Sequence, residues 1–419
     1  MRIWLINPYG PIPGEGWRDY RFTLLGEALA ERGHDVIWWT GNFSHHFKWF
    51  RSESWKDIVV ASGFTIRLVP TTSYEKNISL GRIRFEATFA WNLYKRTVKL
   101  EAPDCIVGTD PSQIVGFLST RLAKKFCVPL FLDVFDLWPE LFILAFPRVL
   151  RPFAPMILWP LYWLRKSNLQ NATAITALCE TYLRVAREQA LNVDAARFLT
   201  VFNGIDVAGF RAAANDEAPT IIDWLGYKRA SEVWAVYAGS LGNNYDIQTL
   251  LRAACELEQR NSPLRIWIAG DGPFRSQVKE FIETHHLENL TYLGKLEPRK
   301  LVNLYRVCDI GICPYAPDSN VGMADKAYDY MAAGLPIINS LRGELENLLR
   351  DRRIGLQYKA GEPGSLAHAL ECLATDESHR KELARNSYDA AMQFDKRVQY
   401  PRFVDFIEKV LQLRITARQ

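Results

Sequence analysis

Lys326-Ala-Tyr-Asp329-Tyr-Met-Ala-Ala-Gly334-Leu-Pro336 is the stretch on which the reading of this chain turns. The apolar runs Ile310–Cys313 and Pro336–Asn339 flank it, so a helix over 325–333 joins two buried strands. Gly334 stands where such a helix ends. Lys326 falls in the first turn, where the positive end of the helix dipole disfavours a cation. An anionic ligand at that end resolves the conflict. Asp329, three residues on, shares a face with Lys326. One cation and one carboxylate a turn apart suit a nucleotide, with Lys326 toward the diphosphate and Asp329 toward the ribose hydroxyls. A plain surface ion pair is the alternative.

The same alternation extends in both directions. In the second half, strands at 233–238, 265–269, 291–293 and 310–313 each precede an amphipathic helix, and helices at 363–374 and 376–392 follow. In the first half, strands are expected at 2–6, 36–40, 65–69, 105–108, 130–134, 174–177 and 198–202. Helices are expected at 20–32 (apolar stripe Phe22, Leu25, Leu29) and 84–100. Strands alternating with helices predict parallel sheets covered on both faces. The polar stretch between Asp206 and Glu232 separates the halves, and a last helix is expected over 400–413.

Ligands of such sheets sit beyond the carboxyl ends of the strands, beside helix N-termini that favour phosphate. Gly239-Ser240-Leu241-Gly242 and Gly270-Asp271-Gly272-Pro273 are strand-end turns of that kind. Gly294-Lys295-Leu296 suits a nucleobase, and Asn320, Gly322 and Met323 lie in the polar loop entering the helix of Lys326. Ordinary strand-to-helix turns are the competing reading of the glycines.

Composition agrees with a large α/β protein: 419 residues, 48% hydrophobic and 23% charged, enough for two domains with real cores. A net charge of +4 is far from that of a dedicated nucleic-acid binder. The seven cysteines are scattered without a metal-ligand spacing, so they read as small core residues in a reducing compartment. The start Met-Arg-Ile-Trp-Leu-Ile-Asn reads as a strand rather than a signal peptide, and a cytoplasmic protein is expected.

Gly270-Asp-Gly-Pro, Tyr292-Leu-Gly-Lys, Asp309-Ile-Gly-Ile-Cys-Pro-Tyr and Lys326–Pro336 together resemble the donor half of the retaining glycosyltransferases of family four. Glu31-Arg-Gly-His-Asp-Val, Asp136-Leu-Trp-Pro-Glu140 and Phe202-Asn-Gly-Ile-Asp206 extend the resemblance over nearly the whole chain. It is nearest the branch that assembles bacterial polysaccharides and O-antigens on lipid carriers. The resemblance implies the α/β GT-B fold, two Rossmann-like parallel-sheet domains facing a central cleft. An acceptor-side domain would occupy 1–208, a donor-nucleotide domain 209–395, and a C-terminal helix in 396–419 would pack back on the first.

It further implies transfer of a hexosyl or N-acetylhexosaminyl group, with retention. The donor is a nucleotide-sugar (UDP-linked at family level), and the acceptor is a saccharide or polyprenyl-linked. No cofactor and no metal are expected. Front-face attack leaves stabilisation of the diphosphate leaving group as the main task, assigned to Lys326. Val321 stands at the first of two glutamate places in the family pattern, Asp329 at the second, and Phe135 replaces a histidine. No cation follows the first donor strand. A UDP-sugar epimerase and an inactive nucleotide-binding subunit are the competing classes.

In the first half, Asp136 and Glu140 are carboxylates at a strand end, suited to orient or deprotonate an acceptor hydroxyl. An N-cap is the plainer reading of Asp136. The loop after the first strand offers Gly14, Glu15, Gly16 and Arg18 for acceptor contacts, and His34 reads as structural. Residues 141–166 are rich in aromatic and aliphatic side chains broken by prolines and arginines. They suit either a membrane interface, placing the protein on the inner face of the plasma membrane, or a buried helix.

Overall fold

Arg2–Ile6 forms β1, and its last four residues are buried, as expected of an apolar run at a sheet centre. The computed structural model describes residues 1–15, 20–143, 146–215 and 225–416. Gly16, Arg18 and residues 144–145 and 216–224 lie outside the described residues. Around β1 run β2 (Asp35–Gly41), β3 (Lys56–Ala61), β4 (Phe64–Val69), β5 (Cys105–Thr109), β6 (Leu130–Val134), β7 (Ala174–Ala177) and β8 (Phe198–Thr200), in the order β3-β4-β2-β1-β5-β6-β7-β8. Every pair is parallel except β3 with β4. Sequence reading misses β3 because this edge strand has one neighbour and no buried residue, so its pattern carries no core period.

The expected stripe Phe22, Leu25, Leu29 lies in the core from helix Arg21–Glu31. Beside it, Arg21 and Asp133 form a fully buried ion pair, Nε to Oδ2 at 2.6 Å. Thr176 Oγ1 also donates to Asp133, and Arg21 Nη1 donates to the Val201 carbonyl. Each charge is thus hydrogen-bonded as well as paired, the condition under which burial of both is tolerated.

The second sheet comprises β9 (Val233–Ala238), β10 (Leu264–Ala269), β11 (Leu290–Gly294), β12 (Ile310–Cys313), β13 (Ile337–Asn339) and β14 (Gly355–Gln357), in the order β11-β10-β9-β12-β13-β14. All pairs are parallel. The short edge strand β14 is another addition to the sequence reading. Helix Ile247–Gln259 and helix Pro363–Thr375 fill the core on β9 and β10 with Leu250, Leu251, Leu257, Leu366 and Leu370.

Two compact units result, Met1–Asn203 with Gln399–Gln419, and Gly204–Val398. The divisions differ from 208/209 and 395/396 for a local reason. Ile205 bridges Asp395, Lys396 N donates to the Ile205 carbonyl, and Lys396 Nζ pairs with Asp206 at 3.2 Å, so Gly204–Asp206 belongs with the second unit. The C-terminal helix is longer than 400–413, running Lys396–Thr416 with Pro401 near its start. Tyr400, Phe403, Val404 and Ile407 from it pack with Ile3, Leu5 and Phe22 in the first unit's core. His34 meets Glu408 of that helix at 2.9 Å, a structural contact. Helix 84–100 is instead Leu80–Thr97, because Ser79 caps it by accepting from Arg82 N.

Candidate active site

Three strand-end turns of the second unit are laced together. Gly239 N donates to the Ala269 carbonyl, Leu241 N to that of Asp271, and Gly270 N to that of Gly294. They pack so closely that a Cβ on Gly270 would lie 1.8 Å from the Gly239 carbonyl oxygen, at a φ of +148° that side chains rarely adopt. Gly239, Ser240, Leu241, Gly270, Asp271 and Gly272 therefore do converge, at the carboxyl ends of β9 and β10. Leu241 does so only through its backbone. Its side chain is buried in the core, so it holds the turn rather than facing a ligand. Asp271 accepts from Gly272 N and lies 3.8 Å from Arg275. Lys295 is exposed and Leu296 half-buried just after β11. Asn320 is exposed after β12, where Gly322 and Met323 are buried.

Helix Asp325–Ala333 is buried from Lys326 through Ala332 and ends on Gly334 in the left-handed conformation. Tyr330 anchors it: its hydroxyl lies 3.2 Å from the carbonyls of Val236 and Ile312 and accepts from Ala238 N, joining β9 to β12. Lys326 and Asp329 are both buried, 8% and 4% exposed, so the surface ion pair is not what the sequence built. Among the described residues the Lys326 Nζ has no hydrogen-bond partner. A buried ammonium without an oxygen partner is costly, and burial lowers its pKa from 10.5 to about 8.

The first unit holds the other candidates. Asp136 follows β6 and accepts from Leu137 N at 2.9 Å and Trp138 Nε1 at 3.1 Å. Burial raises its pKa above the usual carboxylate range, against those two hydrogen bonds. Glu140 is engaged elsewhere. Arg165 Nη1 and Nη2 clamp it at 2.6 and 2.8 Å, and the same guanidinium donates to the Trp138 carbonyl. Glu15 is likewise committed, accepting from Arg51 at 2.7 and 2.8 Å while Arg51 also reaches the Gly10 and Gly41 carbonyls. Both glutamates tie loops of the first unit through these arginines. Gly14 adopts φ +87° in the same loop.

Sequence reading also missed a buried cluster beside Asp136. Tyr9 and Ser112 donate to Glu86, Arg82 Nε donates to the Tyr9 hydroxyl, and the Arg82 guanidinium stacks 3.8 Å from the Trp138 ring centre. Nothing in the spacing of these residues along the chain announces the cluster. Residues 148–170 form short helical turns and helix Trp159–Gln170, with Met156, Trp159 and Trp163 more than 60% exposed. The same helix buries Arg165, Asn168 and Leu169 on its other side, so part of the segment packs on the protein and part is exposed. Among the described residues no helix is long and apolar enough to cross a membrane, and no cluster of three or more His, Cys, Asp or Glu could hold a metal ion.

Two parallel-sheet α/β domains, the second with glycine turns and a buried lysine at its strand ends, define the GT-B class. Residues 228–390 match the family "Glycosyl transferases group 1" and residues 20–204 match "Glycosyl transferase 4-like domain". The chain belongs to the GT-B glycosyltransferases similar to family four. It is 26% identical over 156 residues to alpha-monoglucosyldiacylglycerol synthase of Streptococcus pneumoniae, covering 36% of this chain and 34% of that protein. It is 25% identical over 216 residues to a D-inositol 3-phosphate glycosyltransferase of Corynebacterium urealyticum, covering 49% and 50%. The matches thus span a third to a half of these curated relatives. Anabaena HepE in complex with UDP shares the fold, with TM-score 0.67, 14% identity, and 97% and 99% of the two chains covered.

Proposed function

We propose that the protein transfers a sugar, with retention, from a nucleotide-sugar donor, UDP-linked in preference, to a saccharide or lipid-linked acceptor in cell-surface polysaccharide assembly. One observation carries the donor half of this reading: the Lys326 ammonium is buried without a hydrogen-bond partner among the described residues, beside the glycine turn that ends β9. Such a setting supports an anion as the ammonium's partner. Lys326 meets the diphosphate and stabilises it as it leaves. Asp329 meets the ribose, the Gly239 and Gly270 turns approach the phosphates by backbone, and Lys295 and Leu296 border the base.

UDP is favoured because HepE of the same fold was solved with it. Asp136, whose carboxyl burial brings toward a proton-accepting range, orients the acceptor hydroxyl. A lipid-linked acceptor agrees with the name of the Streptococcus pneumoniae relative and with the exposed aromatic segment 148–163, which suits peripheral attachment to a membrane.

The test is a thermal-shift panel of UDP-, GDP- and ADP-sugars, followed by transfer assays on saccharide and polyprenyl-linked acceptors. A donor that stabilises the protein and is consumed only with acceptor supports the reading. Donor isomerisation without acceptor, or binding without turnover on any acceptor, overturns it.

A further inference from the structure

Lys326 is surrounded by rings rather than oxygens. The centres of Tyr237, Tyr245 and Tyr315 lie 4.7, 4.1 and 4.9 Å from its Nζ. All three distances are within the range of a cation–π contact. The rings come from three places: Tyr237 from β9, Tyr245 from the turn before helix Ile247–Gln259, and Tyr315 from the loop after β12. They are held there by backbone. Tyr245 bridges Tyr315, Asp246 N donates to the Pro314 carbonyl, and Ala316 N donates to that of Asn244. The Tyr237 hydroxyl is tied to the Ser240 carbonyl at 2.6 Å. On another side of Nζ stands Gly239, where a Cβ would come within 3.0 Å.

We propose that Tyr237, Tyr245 and Tyr315 form a cation cage that positions Lys326, packed against the Gly239 turn, for the donor's diphosphate. The proposal rests on the reading of Lys326 given above. Ring faces favour the ammonium but do not neutralise it, so its charge stays available to an anion. The other titratable groups facing it are the Cys313 thiol of β12 and, on its own helix, Asp325 and Asp329. Burial raises the pKa of all three tyrosines and of Cys313, keeping them neutral.

With the free ammonium titrating near pH 8, an arriving diphosphate restores the charged form and takes up a fraction of a proton. Affinity is therefore flat below that pH and falls above it. Losing one ring face removes up to about one pKa unit of support for the charge. A leucine at 245 or 315 then weakens binding about twofold at pH 7 and about eightfold at pH 8.5. The break in the pH profile moves down, which a merely structural role would not cause.

The experiment is calorimetric titration of the full chain with UDP, GDP and ADP between pH 7 and 9.5, in buffers of different ionisation heat. Wild type should show proton uptake at pH 8.5 and little at pH 7, a readout that needs no variant. Y245L and Y315L should show the shifted break, and Y245F and Y315F should match wild type. Absent uptake in wild type, or leucine variants with unchanged affinity and break, overturns the cage. K326M separates the two readings. If it binds as tightly as wild type, or no nucleotide binds the wild type, the diphosphate assignment itself fails. If it binds weakly while the leucine variants are normal, only the cage fails.

Discussion

Gly239 and Lys326 contend for one space: a Cβ on Gly239 would lie 3.0 Å from Lys326 Nζ and 3.1 Å from its Cε. The far end of a lysine can shift, so the fold should survive Gly239→Ala. The ammonium would be pushed from the anion's path and the turn left at an unfavourable φ. Donor affinity is expected to fall about tenfold, ~1.4 kcal/mol. Titration with UDP alongside a thermal melt checks this, and unchanged affinity would remove Gly239 from the site.

Lys326 should also weaken the fold that carries it. Its folded pKa, about 8, lies below the ordinary 10.5. The unfolded chain therefore binds more protons, and this residue's contribution to stability is worst below pH 8 and recovers as pH rises toward 10.5. The penalty at neutral pH is on the order of 3 kcal/mol. Lys326→Met should raise the melting temperature at pH 7 by several degrees while abolishing transfer. A variant no more stable than wild type would show that the ammonium has compensation beyond the rings.

Much of this was legible in the chain. Buried parallel strands announce themselves as short apolar runs, and β1, β9 and β12 are read almost to the residue. The edge strands β3 and β14 escape because an exposed edge has no apolar period to read. The glycine turns and Lys326 stand out in the sequence because glycine and a cation at a helix start each violate a local preference. The tyrosine cage does not, because Tyr237, Tyr245 and Tyr315 look like ordinary core aromatics until the fold unites them. The ion pairs of Glu15 and Glu140 escape for the converse reason. Their partners Arg51 and Arg165 lie 36 and 25 residues away, and a committed carboxylate looks like a free one in sequence.

Asp136 and Glu140 should separate cleanly by mutation. Among the described residues the hydrogen bonds to Asp136 come from its own turn, whereas Glu140 is clamped by Arg165. Asp136→Asn should lower kcat by roughly 10²- to 10⁴-fold with little change in melting. Glu140→Gln should cost ~1–3 kcal/mol of stability and leave kcat within about tenfold, since it leaves a buried guanidinium half-satisfied. Paired kcat measurements and denaturant melts decide, and the reverse pattern would exchange the two roles.

The exposed aromatics of the first unit yield the last prediction. Trp159 and Trp163 lie four residues apart at the start of one helix, 61% and 62% exposed, with Met156 and Ile157 exposed just before them and Lys166 exposed just after. Large apolar side chains in water beside a lysine have the composition of an interfacial segment, in which indole rings sit at headgroup depth. Replacing both tryptophans by serine removes little packing, so the melt should hardly move. Partitioning onto anionic phospholipid vesicles should fall by on the order of tenfold or more. Raising the salt should weaken wild-type binding only in part, because screening acts on the cations and not on the rings. Co-sedimentation unchanged by the double substitution would mean this face does not meet the bilayer, and turnover on a water-soluble saccharide acceptor would then be the assay to pursue.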